Sequence, residues 1–415
     1  MILKRFALGL LSAGLCLNGL CTSPVPVPAP VKGNSVPVKA ADADPVGKEP
    51  DERLAASVTG FSEKLLKECT AENGGKNLIL SPLSVMYALT LCSNGASGET
   101  LAEFEALNGI PTDEMNEYLW SYAARLAETE NSTVRTANSL WGNEKCFTMS
   151  EDFRKVSEVF YDAESRSVDF ADQSNVDVIN GWVSEKTDGM IPDAVKELNP
   201  ATMLMLLNTV MFDGVWEKEY REYQVSEGVF HGATVSQNNV EFMYSTENGY
   251  FEVDGGVGFS KMYKDGYAFT AVLPDGDLND FIANADLGKI TAAAMSGSGK
   301  VDAAVPKFEY ETEMGLTDIL KNMGLEKAMS SQAELYGLSA EGLPLYIDQV
   351  LQKAKVITNE HGTRAAAMTQ VMVNMMSARP EKKEVVHLDR PFFYMILDME
   401  TGIPLFTGAV YDLGE

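Results

Sequence analysis

The hydrophobic rhythm of this chain shortens about halfway along. Over residues 53–127, and again over 150–165, apolar side chains recur at the three- and four-residue spacing of helices with one buried face, with Leu65, Leu66, Leu89 and Leu91 on the apolar stripes. Residues 203–211, 242–273 and 301–310 read instead as strands. A further helix is predicted over 316–323, stopping at Gly324. Residues 392–398 and 405–411, joined through Thr401 and Gly402, read as a hairpin. Helices first and then mostly strands predict an α+β class with sizeable sheets. No linker divides this region, so a single domain is expected over 52–415.

One stretch fits neither rhythm. Residues 359–369 read Asn-Glu-His-Gly-Thr-Arg-Ala-Ala-Ala-Met-Thr, too smooth for an ordinary core and too apolar for an ordinary loop. Alternate residues of a strand face opposite sides. One parity here holds Thr363, Ala365, Ala367, Thr369, Val371 and Val373, all small or β-branched and none charged. The other holds Arg364, Ala366, Met368, Gln370, Met372 and Asn374. Ser377-Ala378-Arg379-Pro380 and the charged run Glu381-Lys382-Lys383-Glu384 follow. The pattern predicts either a plain half-buried edge strand or a loop whose first half is built to slide beneath a packed layer.

Composition narrows the partners. The 415 residues carry 45% hydrophobic and 22% charged side chains, as globular proteins do, with a formal net charge of -27. Nucleic acid, heparin-like polyanions and anionic membrane surfaces are therefore excluded as expected partners, because each needs clustered Lys and Arg. At the N-terminus, Lys4 and Arg5 precede an apolar run over 6–15 broken only by Ser12, the pattern of an export signal over 1–21. That run is short for a membrane span. Cys16 and Cys21 raise a lipid anchor, although Leu15 and Leu20 stand where a small residue is preferred. Contact with a membrane is expected only through such a lipid. Residues 22–51, rich in Pro, Val and Ala, read as a semi-rigid tether. Cys69, Cys92 and Cys146 are too few and odd in number for a disulfide framework, and the first two fall on helical patterns as buried thiols.

Catalytic chemistry finds little footing. There are three histidines, His231, His361 and His387, and no Gly-x-Ser-x-Gly turn to present a nucleophile. No His-Glu-x-x-His or paired Cys-x-x-Cys spacing offers a zinc site. Ser296-Gly297-Ser298-Gly299-Lys300 resembles the end of a phosphate loop, but Ala294 stands where its first glycine is required. Neither an enzyme nor a cofactor or metal is expected.

At this point the chain resembles the serpins. Glu360 through Thr369 is similar to their hinge. Asn77-Leu78-Ile79-Leu80-Ser81-Pro82-Leu83-Ser84, Ile179-Asn180-Gly181-Trp182-Val183, Leu207-Asn208-Thr209-Val210-Met211-Phe212-Asp213-Gly214-Val215-Trp216, Val305-Pro306-Lys307-Phe308 and Arg390-Pro391-Phe392-Phe393 resemble further family motifs in order. The resemblance implies a serpin fold of three β-sheets with eight or nine helices and an exposed reactive-centre loop. It implies a suicide-substrate inhibitor of serine proteases, with cysteine proteases as a further target class. The hinge would comprise Glu360, Gly362, Thr363, Arg364, Ala365, Ala366, Ala367, Met368 and Thr369.

Counting from Gly362 as the family does puts the reactive bond between Met376 and Ser377, with Met375 and Met376 as the rival bond. A flexible thioether suits elastase-, chymotrypsin- or subtilisin-like pockets. The implied partner is a target protease, held in a covalent one-to-one complex by a monomeric, exported inhibitor that is secreted or tethered at the surface. A sheet-opening region would contain Ser81, Ser84, Asn208, Trp216 and Gln352. Gln352 stands where the family often has a histidine, and its amide supplies both donor and acceptor. Arg364 replaces a usual acidic residue on the outward parity. Some serpins bind polyanions through a basic helix, but the comparable stretch over 113–128 is acidic. The alternative is a non-inhibitory carrier, chaperone or binding protein, whose hinge would carry bulky, charged or proline residues.

Overall fold

Asp51 opens the first helix by accepting the N–H groups of Arg53 (3.0 Å) and Leu54 (3.1 Å) on one carboxylate oxygen. In the computed structural model, which describes residues 44–126, 131–363 and 383–413, that helix, α1 (Glu52–Asn73), ends at a left-handed Gly74. The apolar stripe then breaks into a short strand, β1 (Leu78–Leu80), and three helices, α2 (Pro82–Ser93), α3 (Gly98–Asn108) and α4 (Thr112–Arg125). Every residue of α2 is buried, so it has no polar face. Pro82 is tolerated because the first helical N–H needs no partner within the helix.

β2 (Ser132–Asn143) precedes α5 (Glu151–Tyr161). The helix expected to reach 165 stops at Tyr161. Asp162 takes a left-handed conformation (φ 45°), and β3 (Glu164–Val168) follows at once. Next come α6 (Asn175–Lys186) and β4 (Leu204–Val215), which runs past the expected end at 211. The stretch 242–273 resolves into the end of β6 and three more strands. The order is β5 (Val225–His231), β6 (Ser236–Glu247), β7 (Tyr250–Val253), β8 (Gly256–Met262) and β9 (Tyr267–Pro274). The helices α7 (Leu278–Asn284) and α8 (Leu287–Ser296) lead into β10 (Val301–Pro306) and β11 (Phe308–Gly315). α9 (Thr317–Asn322) ends just before Gly324, whose φ of 113° suits only glycine. β12 (Gln349–Thr358), β13 (Gly362–Thr363) and β14 (Glu384–His387) follow, and the expected hairpin is β15 (Phe392–Asp398) with β16 (Pro404–Val410).

Among the described residues these make nine α-helices and three sheets, ordered β1-β16-β15-β9-β8-β7, β14-β10-β6-β5 and β11-β12-β13-β4-β2-β3. The third is the central sheet. Leu204 and Leu206 of β4 join the main core with α2, while Met205 and Leu207 join a second cluster with Trp182 of α6 and Trp141 of β2. β4 is thus buried on both faces, which explains its unbroken apolar run. Trp141 and Trp182 meet edge to face at 6.1 Å and hold α6 across the sheet.

Residues 1–43, containing the expected export signal and most of the expected tether, lie outside the described residues. The tether's last part is bonded to the domain: the N–H groups of Val46 and Gly47 reach the Glu117 carboxylate at 2.9 and 2.6 Å, and the Lys48 N–H reaches the Glu117 carbonyl at 3.1 Å. Cys69 and Cys92 are buried free thiols that burial pushes up in pKa, and Cys146 is free and half-buried.

Candidate functional site: a split in the central sheet

β12 and β4 run parallel and pair directly from Gln349 opposite Met205 to Ala354 opposite Val210. Beyond that point they part, and β13 enters between them. It pairs antiparallel with both neighbours: Thr363 faces Thr358 on one side, while Gly362 and Thr363 face Val215 and Gly214 on the other. A tight turn delivers it there. The Asn359 side-chain oxygen accepts the N–H groups of His361 (2.9 Å) and Gly362 (3.3 Å), and the Asn359 N–H donates to the Gly362 carbonyl at 2.9 Å. A Cβ on Gly362 would sit 1.9 Å from the Gly214 carbonyl oxygen, so only glycine fits. The next side chain, Thr363, is buried, and its hydroxyl lies 2.6 Å from the Tyr263 hydroxyl.

A clasp grips the turn from above. Buried Trp216 donates its indole N–H to the Asn359 carbonyl (2.9 Å) and its backbone N–H to the His361 carbonyl (2.9 Å). Tyr220 donates its backbone N–H to the Glu360 carbonyl at 2.9 Å. The Trp216 ring stacks on Tyr263 at 4.2 Å with the planes 10° apart. Two polar side-chain pairs flank the turn. The Lys307 ammonium lies 3.0 Å from the Glu360 carboxylate, and His361 Nδ1 lies 2.9 Å from Glu219 Oε2. Burial pushes the Glu360 carboxyl upward, but its own backbone N–H and Lys307 outweigh that and hold it below the usual carboxylate range. Burial likewise lowers the pKa of Lys307, yet the bond to Glu360 leaves it raised.

Further down, the seam between β12 and β4 is tied by neutral groups. Gln352 donates to the Ser81 carbonyl (2.9 Å) and to Asn208 Oδ1 (2.8 Å), and accepts the Ser81 N–H at 3.3 Å. Asn208 in turn donates to the Ser84 hydroxyl and, at 2.5 Å, to Asn138 Oδ1. Ser81 Oγ donates to the Leu405 carbonyl at 2.9 Å. All of these side chains are buried.

The structure therefore brings Ser81, Ser84, Asn208 and Gln352 into one network. It places Trp216, Glu360, Gly362 and Thr363 at the other end of the same seam, about 20 Å along β4 at roughly 3.3 Å per residue. Arg364, Ala365, Ala366, Ala367, Met368, Thr369, Met376 and Ser377 lie outside the described residues. Sequence reasoning missed Asn138, Tyr263, Glu219 and the pairing role of Lys307. Asn138 had one faint signal, an amide inside a strand. Tyr263 had none, because its partner is a hundred residues away.

The molecule is thus of α+β class, its main sheet parted at one end, where a two-residue segment of its own chain enters between β12 and β4. The chain belongs to the serpin family: the family model described as serpin (serine protease inhibitor) matches residues 56–413. It is 30% identical over 379 residues to an uncharacterized serpin-like protein of Thermococcus kodakarensis, covering 88% of this chain and 87% of that one. It is 28% identical over 428 residues to alpha-1-antiproteinase 2 of Equus caballus, covering 97% of each. Among solved structures, the native state of tengpin, a thermophilic serpin, matches with a TM-score of 0.82 and 36% identity over 88% of this chain and 96% of that one.

Proposed function

We propose that this protein is an exported suicide-substrate inhibitor of serine proteases, baited by Met376 and armed by insertion of its own loop. The observation that carries the reading is the position of β13, whose two residues already lie between β12 and β4 in the antiparallel sense an inserting strand needs. Continuing that pairing residue for residue would bring Thr369 between Gln352 and Asn208. Insertion would then have to break the 2.8 Å bond that joins those two side chains. The small residues Ala365 and Ala367 share the parity of buried Thr363 and would pass beneath the layer with little steric resistance.

The chemistry follows that of ordinary proteolysis up to its midpoint. The protease serine attacks the Met376 carbonyl carbon, an ester forms, the bond to Ser377 breaks, and the proton leaves on the Ser377 amine. The freed segment 363–376 then adds to the central sheet by β-augmentation, gaining backbone bonds on both edges. It carries the esterified protease with it and distorts the site before water can release the enzyme. A thioether at the bait favours elastase-, chymotrypsin- or subtilisin-like pockets. The Pro-rich leader and signal pattern support secretion or a tether at the cell surface, and the expected assembly is one inhibitor to one protease.

The test is a denaturing gel of the protein mixed with an elastase-like serine protease. The expected result is a complex that survives denaturation, with a released fragment whose N-terminus is Ser377. Clean cleavage with no such complex, and no gain in thermal stability after the cut, would instead favour a carrier or binding protein.

A further inference from the structure

Lys261 of β8 is a lysine with nowhere wet to go. It is 1% exposed, and its ammonium lies 2.8 Å from Oε1 of Glu247, itself only 9% exposed. Its remaining contacts fall on one short segment. Nζ is 3.1 Å from the Lys218 carbonyl, 5.3 Å from the centre of the Trp216 ring and 4.2 Å from that of Tyr220. Residues 216–220 belong to no helix or sheet strand: Trp216 makes a single backbone bridge to Tyr263, the Glu217 N–H donates to the Met262 carbonyl at 3.0 Å, and no repeating backbone pattern fixes residues 218–220. Yet this segment supplies the clasp: the N–H groups of Trp216 and Tyr220, the indole N–H of Trp216 and the carboxylate of Glu219 all hold the turn at 359–361.

A buried ion pair is a poor way to gain stability, since an apolar side chain of similar size often serves as well or better. An apolar residue could fill the space, but it could not bond a carbonyl while attracting two ring faces. Burial lowers the pKa of Lys261 against the pull of Glu247, so the charge is kept there at a cost. We propose that Lys261 is a positioning residue for the hinge: its ammonium gathers residues 216–220 into the shape that grips residues 359–361 and so fixes the pivot about which the loop swings. The assignment rests on the reading of that loop as an inserting strand.

Lys261→Met alone would leave Glu247 buried without a partner, so the informative variant is Lys261→Met with Glu247→Gln, which strands no charge. Amide hydrogen exchange at Trp216 and Tyr220 is expected to quicken by about tenfold, the order that a desolvated cation–π contact is worth. Amides in β15 should keep their wild-type rates. With an elastase-like protease, the double variant should meet the enzyme at an unchanged rate, because the bait is untouched. A larger fraction of the enzyme should then escape after cleavage. Unchanged exchange at both amides, or equal acceleration throughout the sheets, would overturn the assignment. So would an unchanged escape fraction. Failure of the unaltered protein to trap any protease would sink the inhibitor reading instead, and the exchange experiment separates the two.

Discussion

The two ends of the seam between β12 and β4 are held by different chemistry. Below the split the ties are mostly neutral: amides and hydroxyls of Gln352, Asn208, Ser84 and Asn138, with the backbone of Ser81, all out of water. Only at the foot of the seam does a carboxylate, that of Asp348, accept the N–H groups of Met203 and Leu204. The upper end combines stacked rings, backbone bonds to residues 359–361, and the Lys307–Glu360 ion pair on its flank. The difference matches what each end must do if the sheet takes another strand. The lower ties join β12 to β4 and have to come apart, and neutral hydrogen bonds exchange partners at a small net cost. The upper ties hold a turn that stays in place, and a charged, aromatic grip resists being pulled open.

The sharpest way to break this comparison is Gly362→Ala. Its new Cβ would meet the Gly214 carbonyl at 1.9 Å, so β13 must leave the gap or β4 must shift. A loss of about 3 kcal/mol is expected, at the upper end for an overpacked site, and thermal unfolding would measure it. Asn208→Ala attacks the lower end. It strands buried polar atoms of Gln352 and Asn138, and a loss of about 2 kcal/mol is expected in denaturant unfolding. Because no member of that network titrates near neutrality, the same loss should be found at pH 5 and pH 8. A loss that varied with pH would show that the two ends are not chemically separate.

Tyr263→Phe probes the upper end more gently. It removes the hydroxyl that meets Thr363 and keeps the stacked ring, so about 1 kcal/mol is at stake. In a Thr363→Val background the same change should cost much less, and a double-mutant cycle reads that coupling. The smallest effect is that of acid. Glu360 has a lowered pKa in the fold, so its contribution is whole above the unfolded value near about 4.3 and fades as pH falls through the folded one. Lys307 has a raised pKa, so its share is whole below its unfolded value and fades only in strong alkali. Between pH 6 and pH 3 the unaltered protein should therefore lose more stability than Glu360→Gln. The difference should stay under about 1 kcal/mol, because both side chains are partly solvated.

How far the site could be read from the chain divides along the same line. The stretch 203–211 was legible as a strand, though its burial on both faces came only with the fold, and Asn208 and Gln352 were found because their motifs resemble those of a known family. The helix over 150–165 ended early because Asp162 turned left-handed, which no periodicity reports. β4 outran its expected end because Asp213 and Gly214, a pair that usually marks a turn, here stay extended against β2 and β13. Tyr263 and Lys261 were illegible for a deeper reason. One is a tyrosine and the other a lysine in a half-apolar strand, and only the fold brings them to residues 216–220 and 363. Their roles are set by strands that meet from distant parts of the chain, and a local pattern cannot carry that information.

The meeting of Gly214 and Gly362 has one more consequence. Two bare backbones touch there, like the first tooth of a zip already engaged. A zip started that way cannot close one notch out of step, which in a sheet would turn every following side chain to the wrong face. If the loop inserts as proposed, whatever cuts it would decide only when the closure runs, since the alignment has been set in advance.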